Sequence, residues 1–97
     1  MLHIVNKSPF THNTLDECAR FVLKGAPIIL IEDAVLAARA GTSYSSKLSK
    51  IMESNPVFVL APDLEARGVK DVVEGVEKTG YAGFVGLVED HKATTWL

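Results

Sequence analysis

The sequence contains a single cysteine, Cys18, among its 97 residues. One thiol excludes an internal disulfide framework and any zinc site built from cysteine ligands. Glycine-rich loops are missing as well, because the seven glycines are scattered and residues 6–10, after the first apolar segment, contain none. Backbone amides need such glycines to approach a phosphate closely. The sequence therefore does not predict a dinucleotide-binding enzyme, and we expect no cofactor.

Runs of positive charge and long apolar runs are also absent. The 10 Lys and Arg are outnumbered by 12 Asp and Glu, so we expect no direct nucleic-acid binding, which requires a basic surface. The apolar run at residues 28–31 is far shorter than the ~20 residues of a membrane helix, and no apolar run in the sequence exceeds five residues. His3, His12 and His91 are too widely spaced to predict a metal site. Since no basic leader or cleavable signal precedes the first apolar segment, we expect a cytoplasmic protein without membrane attachment.

Apolar side chains, by contrast, are in slight excess. They make up 47% of the residues, or about 53% when glycine is counted in place of tyrosine, against a usual share of ~45–50%. A chain this short buries only roughly 60–68% of its unfolded surface. The excess is a first indication of apolar surface that a partner covers.

Turn signals divide the chain into alternating short strands and helices. Thr14 and Glu17 fit a capping box at the start of the first helix, and Gly25 and Pro27 mark its end. The predicted strands cover residues 2–6, 26–31, 57–61 and 76–78, and the predicted helices cover residues 15–24, 34–40, 44–54, 63–67 and 81–91. The valines between residues 69 and 76 also fit helical spacing, and residues 93–97 are expected to be extended.

This alternation of strands and helices predicts one α/β domain over residues 1–97. We expect a small flavodoxin-like or Rossmann-like layer, with a mainly parallel sheet of four or five strands and helices on both faces. Ligands of such sheets bind beyond the carboxyl ends of the strands. A site is therefore expected at residues 6–10, 32–33 and 61–63.

The polar residues at those strand ends allow more than one interpretation. Glu32 and Asp33 could form a general acid/base pair, although Asp33 is more simply the N-cap of the next helix. Asp63 and Arg67 have the spacing of a helical ion pair, and they could equally contact a partner. Ser8 has no neighbouring histidine and is expected to cap a local turn.

Cys18 lies on the apolar face that the helical spacing predicts for the first helix. A lone cysteine there is typically a small buried hydrophobe. A reactive thiol prefers an electropositive, partly open position, whereas Asp16 and Glu17 place negative charge nearby. A packing role and a chemical role for Cys18 both stay open from the residues alone.

Four segments resemble the TusB/DsrH family of sulfur-relay subunits. They are residues 2–10 (LHIVNKSPF), residues 30–38 with Glu32-Asp33, residues 60–68 with the pattern D-L-x-A-R-G, and the closing aromatic helix and Trp tail from Tyr81 to Trp96. The resemblance runs the full length of the chain in the correct order. It implies a small α/β subunit of a hetero-hexamer with TusC/DsrF-like and TusD/DsrE-like partners, which passes persulfide sulfur to a TusE/DsrC-like acceptor. In the family this serves 2-thiolation of the tRNA wobble uridine or dissimilatory sulfur oxidation.

The resemblance assigns the main sulfur-accepting cysteine to the TusD/DsrE-like subunit and a docking role to this one. We therefore expect a mainly structural, non-catalytic subunit with Phe10, Tyr81 and Trp96 as interface anchors. The alternative is an accessory persulfide carrier through Cys18, a position where DsrH-type members often have cysteine. A third possibility is a monomeric α/β module that binds a small ligand.

Overall fold

The computed structural model describes all residues, 1–97, and contains five strands and four α-helices. The strands are β1 (Leu2–Val5), β2 (Ile28–Leu30), β3 (Val57–Leu60), β4 (Glu77–Thr79) and β5 (Ala93–Trp96). The helices are α1 (Thr14–Phe21), α2 (Ser45–Met52), α3 (Ala61–Ala66) and α4 (Tyr81–Asp90), and a 3₁₀ helix (Glu32–Ala38) follows β2. None of these helices has the length and apolar character needed to cross a bilayer.

All five strands are parallel and lie in the order β4-β3-β2-β1-β5. Val5 of β1 pairs with Leu30 of β2 on one side and with Trp96 of β5 on the other. The chain advances one strand at a time from β1 to β4 and then crosses the whole sheet to β5. Because crossovers between parallel strands are right-handed, this reversal places α4 on the opposite face from the other helices. The predicted parallel α/β sheet with helices on both faces is confirmed, with five strands.

The two faces of the sheet are covered unequally. Successive side chains of a strand point to opposite faces, so Leu30 and Val59 join a cluster of 16 buried residues beneath α1, α2, α3 and the 3₁₀ helix. On the other face the buried cluster consists of Leu2, Ile4 and Ile29, and α4 is the helix that covers it. One face of the domain therefore has a full core and the other has a thin one.

The predicted capping box of α1 is wrong. Thr14 is the first helical residue, Asn13 precedes it, and no side chain caps the helix. Glu17 does reach back, but its Oε1 accepts a hydrogen bond from Asn13 Nδ2 at 3.3 Å. The carboxylate therefore finds a side-chain donor one residue earlier than the pattern predicts.

The short helix predicted at residues 34–40 is a 3₁₀ helix. Ala34, Val35, Ala37 and Ala38 are all fully buried. A 3₁₀ helix aligns residues three apart, so Ala34 lies above Ala37 and Val35 above Ala38. This alignment lets two pairs of small side chains pack into the core from a single short helix.

The connection before β4 is not helical. Val69 and Val73 are buried there, while Val72 forms an isolated antiparallel bridge with Arg39. The valines of this segment therefore contribute to the core from a loop.

The helical spacing of Tyr81, Phe84, Val85 and Val88 predicts that all four face the core, and this prediction is wrong for three of them. Phe84 packs on the thin core with Leu87. Tyr81, Val85 and Val88 remain 62%, 54% and 43% exposed. The buried patch beneath α4 is only wide enough for one stripe of side chains, and this stripe contains Phe84 and Leu87.

Candidate functional site

The carboxyl edge of the sheet brings together two segments that are far apart in the sequence. Asp63, which follows β3, accepts the backbone N–H of Glu32, which follows β2, with Oδ2 at 2.7 Å. Glu32 has a φ of +50°, a conformation that is uncommon for a residue with a side chain. The charged hydrogen bond from Asp63 stabilises this turn at the point where the chain leaves β2.

Arg67 links the same two segments through its guanidinium group. Its Nε and Nη2 both donate to Asp33 Oδ1 at 2.9 Å, and its Nη1 donates to the carbonyl oxygen of Asp63 at 3.3 Å. The N-cap role predicted for Asp33 is therefore wrong, and no side chain caps the 3₁₀ helix. The predicted helical ion pair between Asp63 and Arg67 is wrong too, since Arg67 pairs with Asp33 instead.

The loop after β1 completes this edge. Ser8 Oγ accepts the N–H of Phe10 at 3.2 Å, so the predicted turn-capping role of Ser8 is confirmed. Phe10 is 49% exposed. At this edge the carboxylates of Asp63 and Asp33 are thus already engaged, one with a backbone amide and the other with a guanidinium group. The structure has no cluster of three His, Cys, Asp or Glu side chains that could hold a metal ion.

Cys18 lies inside the larger core. It has no exposed surface and belongs to the cluster beneath α1. Burial raises the pKa of its thiol to about 11, because an apolar environment disfavours the charged thiolate. Neighbouring Tyr44 is also buried and donates its hydroxyl to Asp16 Oδ1 at 2.7 Å. The surroundings of Cys18 therefore favour a neutral thiol packed among apolar groups.

Trp96 is held within its own chain. Its indole Nε1–H donates to His3 Nδ1 at 3.0 Å, and its ring stacks on Phe21 with the centroids 6.3 Å apart. Of the three residues predicted as interface anchors, Phe10 and Tyr81 are exposed and Trp96 is half-buried. Phe10 follows β1 and Tyr81 follows β4, three strand spacings away, or roughly 14 Å. The strands that precede Phe10 and Tyr81 and the strand that contains Trp96 are thus β1, β4 and β5, which span the whole width of the sheet.

The burial of His3 makes stability depend on pH. Burial and then the positive charge of the amino terminus lower the pKa of His3 below its ordinary value of 6.5. The unfolded chain therefore binds a proton more readily than the folded one, so the stabilisation is complete above pH 6.5 and is lost as the pH falls through that value towards the folded pKa. Protonation of Nδ1 would also remove the acceptor for Trp96.

We accordingly expect the free energy of unfolding in urea to fall between about pH 7 and pH 5. The variant His3→Gln should lose this part of the pH dependence. The exposed His12 serves as the control, because His12→Gln should retain the wild-type slope. Equal slopes in the wild type and His3→Gln would refute the role given to His3.

The outer face of α4 is an exposed surface, and of its residues only Tyr81 is predicted from the sequence as an interface anchor. Tyr81, Val85 and Val88 follow one another at i, i+4 and i+7 and are all exposed, and no residue of α4 is buried. We call these three residues the α4 outer face. The signal was present, because residues 81–88 contain no charged side chain and an uncharged apolar helix is typically buried.

The chain is similar to known proteins over nearly its whole length. A family model described as DsrH like protein matches residues 7–94. The "Protein TusB" of Pectobacterium carotovorum subsp. carotovorum (strain PC1) is 35% identical over 92 residues, covering 94% of each chain. The "Protein TusB" of Photorhabdus laumondii subsp. laumondii is 34% identical over 98 residues, covering 99% of this chain and 100% of that protein.

Two solved structures share the fold at lower sequence identity. The ychN protein from E. coli has a TM-score of 0.82 and 20% identity, with 98% of this chain and 97% of that chain covered. The MTH1491 protein of Methanobacterium thermoautotrophicum has a TM-score of 0.67 and 18% identity, with 97% and 95% covered. The resemblance noted in the sequence is thus confirmed by independent matches, and the chain belongs to the DsrH-like family, together with proteins named TusB.

Proposed function

We propose that this chain is a subunit of a cytoplasmic sulfur-relay complex and that it contributes binding surface rather than a reacting group. Membership of the DsrH-like family supports the sulfur relay. The observation that carries the docking role is the exposed apolar α4 outer face, on the side of the sheet with the thin core.

The partners in this proposal are a TusC/DsrF-like and a TusD/DsrE-like subunit, which form a hetero-hexamer with this chain. The complex passes persulfide sulfur to a TusE/DsrC-like acceptor. From there the sulfur serves either 2-thiolation of the tRNA wobble uridine or dissimilatory sulfur oxidation. Cys18 in this proposal packs the core, while persulfide transfer occurs on the TusD/DsrE-like subunit.

The α4 outer face has the properties of the centre of a protein interface. Such centres are depleted in charge and enriched in aromatic side chains, and here Tyr81 lies next to two valines without a charged neighbour before Glu89. A stable interface covers ~800 Å² on each partner, so α4 would form its apolar middle. Covering this face would bury the side of α4 that points away from the thin core and whose apolar side chains are exposed in the single chain.

The decisive experiment introduces charge into this face. We expect the double variant Val85→Glu/Val88→Glu to fold, since both side chains are exposed, and to lose co-purification with the TusC/DsrF-like and TusD/DsrE-like subunits by at least about tenfold. That loss corresponds to ~1.4 kcal/mol of binding free energy. Circular dichroism checks the fold and co-expression with affinity capture measures assembly.

The matched control is Ser46→Glu/Ser49→Glu, which adds two negative charges at exposed positions of α2 on the other face of the sheet. It should assemble like the wild type. Undiminished assembly of the α4 variant would show that α4 is not the interface. A wild-type chain that never assembles with these subunits and elutes as a monomer would overturn the proposed function itself.

A further inference from the structure

A groove between α1 and α2 lies on the face of the sheet opposite α4. It has a volume of about 440 Å³. Its rim is formed by Arg20, Lys24, Lys47 and Lys50, and its floor includes Val22 and Ile51. We call this feature the basic groove.

The charge of the groove contrasts with the charge of the rest of the chain. Asp16 is the one carboxylate in the lining, and it is already engaged with Lys47 at 3.6 Å and with the hydroxyl of Tyr44. The lining carries a charge of +3, whereas the chain as a whole carries −2, so the remaining residues carry −5. Arg20, Lys24 and Lys50 form no salt bridge in the structure. Three cations of an acidic protein therefore converge on one groove without an anionic partner.

The floor distinguishes between two classes of anionic partner. Single-stranded nucleic acids need exposed aromatic rings on which bases stack. The aromatic residue in the lining, Tyr44, is only 5% exposed and offers no such platform. Val22 and Ile51 instead offer aliphatic surface, which suits an apolar amino-acid side chain. The combination of a cationic rim and an aliphatic floor fits a polypeptide.

We propose that the basic groove binds a segment of a partner polypeptide that contains several acidic residues and one aliphatic residue such as leucine. Its carboxylates pair with Arg20, Lys24 and Lys50, and one aliphatic side chain lies against Val22 and Ile51. Electrostatic complementarity of this kind selects the partner and accelerates encounter. The groove is separate from the α4 outer face, so the chain can bind such a segment while α4 is covered.

The test uses the full chain and defined probes. A fluorescent peptide with the repeat Glu-Glu-Leu should bind, the same peptide with Lys in place of Glu should not, and an all-Glu peptide should bind more weakly because it lacks the aliphatic contact. Binding should weaken with added salt. Fluorescence anisotropy measures each affinity without any sulfur-relay subunit, so failure here is distinguishable from failure of the proposed assembly.

Two charge-matched variants locate the binding. Lys24→Glu/Lys50→Glu should weaken binding of the Glu-Glu-Leu peptide by at least about tenfold, whereas Lys70→Glu/Lys78→Glu, at exposed positions outside the groove, should bind within about twofold of wild type. Equal losses in both variants would overturn the proposal as nonspecific charge attraction. Absence of peptide binding would overturn it too, as would tighter binding of oligouridylate that the groove variant abolishes.

Discussion

At pH 7 the thiol of Cys18 should react with an aromatic disulfide reagent more than about a hundredfold more slowly in the folded protein than in the urea-unfolded chain. Raising its pKa from 9.0 to about 11 lowers the thiolate fraction roughly 100-fold. A more basic thiolate is also more nucleophilic, which recovers about tenfold of this loss. The remaining protection comes from access, because a fully buried sulfur meets a bulky reagent only after local opening of the structure.

The measurement follows release of the aromatic thiol by absorbance, with and without urea. Cys18→Ser provides the blank, because it removes the only thiol of the chain. A folded-state rate within tenfold of the unfolded rate would contradict the packing role and place a reactive thiol near the surface.

Mass spectrometry of the assembled complex separates the packing role from the carrier role. In a carrier, the Cys18 thiolate would attack the outer sulfur of a donor persulfide, form a new sulfur–sulfur bond and release the donor thiolate. We expect no mass increase of one sulfur atom on Cys18 after incubation of the assembled complex with a cysteine desulfurase. We also expect Cys18→Ser to assemble normally, and a mass increase on Cys18 would favour the carrier role instead.

The central strands could be predicted because burial on both faces leaves a clear pattern. Residues 28–31 and 57–61 are apolar runs, and a parallel strand covered on both sides is typically such a run. The edge strands are different, since β4 is largely exposed and β5 lacks a strong apolar pattern. The pairing of β5 with β1 depends on contacts between the two ends of the chain, which local propensity does not report.

The sequence predicts where the candidate site lies, but it does not predict which side chains contact each other there. The carboxyl edge follows from the parallel sheet, and the helical spacing places Cys18 on the buried face. Asp33 and Arg67, however, meet across 34 residues of sequence, whereas sequence patterns assign each to a local partner. For α4 the periodicity detects apolar side chains, but it does not distinguish those that pack on the sheet, such as Phe84, from those that stay exposed, such as Val85.

Asn55→Asp is expected to lower the free energy of unfolding by about 4 kcal/mol and Asn55→Ala by about 2 kcal/mol. Asn55 is 5% exposed, and its Nδ2 donates to the carbonyl oxygens of Leu23 at 2.8 Å and Ala26 at 2.9 Å. Alanine removes both donors from these carbonyl groups. Aspartate also removes both donors, and it places a negative charge against two carbonyl oxygens, which are the negative ends of their dipoles. The aspartate variant therefore loses more free energy of unfolding than the alanine variant.

Urea unfolding at neutral pH measures both costs, and Asn13→Asp is the control. Asn13 is exposed at the start of α1. Aspartate there loses the exposed hydrogen bond to Glu17 but places a negative charge at the helix N-terminus, which is favourable, so this variant should unfold within about 0.5 kcal/mol of wild type. If Asn55→Ala lowers the free energy of unfolding by less than about 0.5 kcal/mol, water satisfies the two carbonyl groups and Asn55 does not hold the loop between α1 and β2.

The aspartate variant also has a signature in pH that a simple packing defect lacks. Burial raises the pKa of a carboxyl group, and the protonated form regains one donor for a carbonyl oxygen. The free energy of unfolding of Asn55→Asp, which is lower than that of Asn55→Ala at neutral pH, should therefore approach it as the pH falls towards about 4.

Asn55 also holds the segment that contains Lys24, because it binds the carbonyl groups of Leu23 and Ala26 on either side of Lys24 in the sequence. The same hydrogen bonds therefore position one side of the basic groove. We accordingly expect Asn55→Ala to weaken binding of the Glu-Glu-Leu peptide while leaving all rim charges in place.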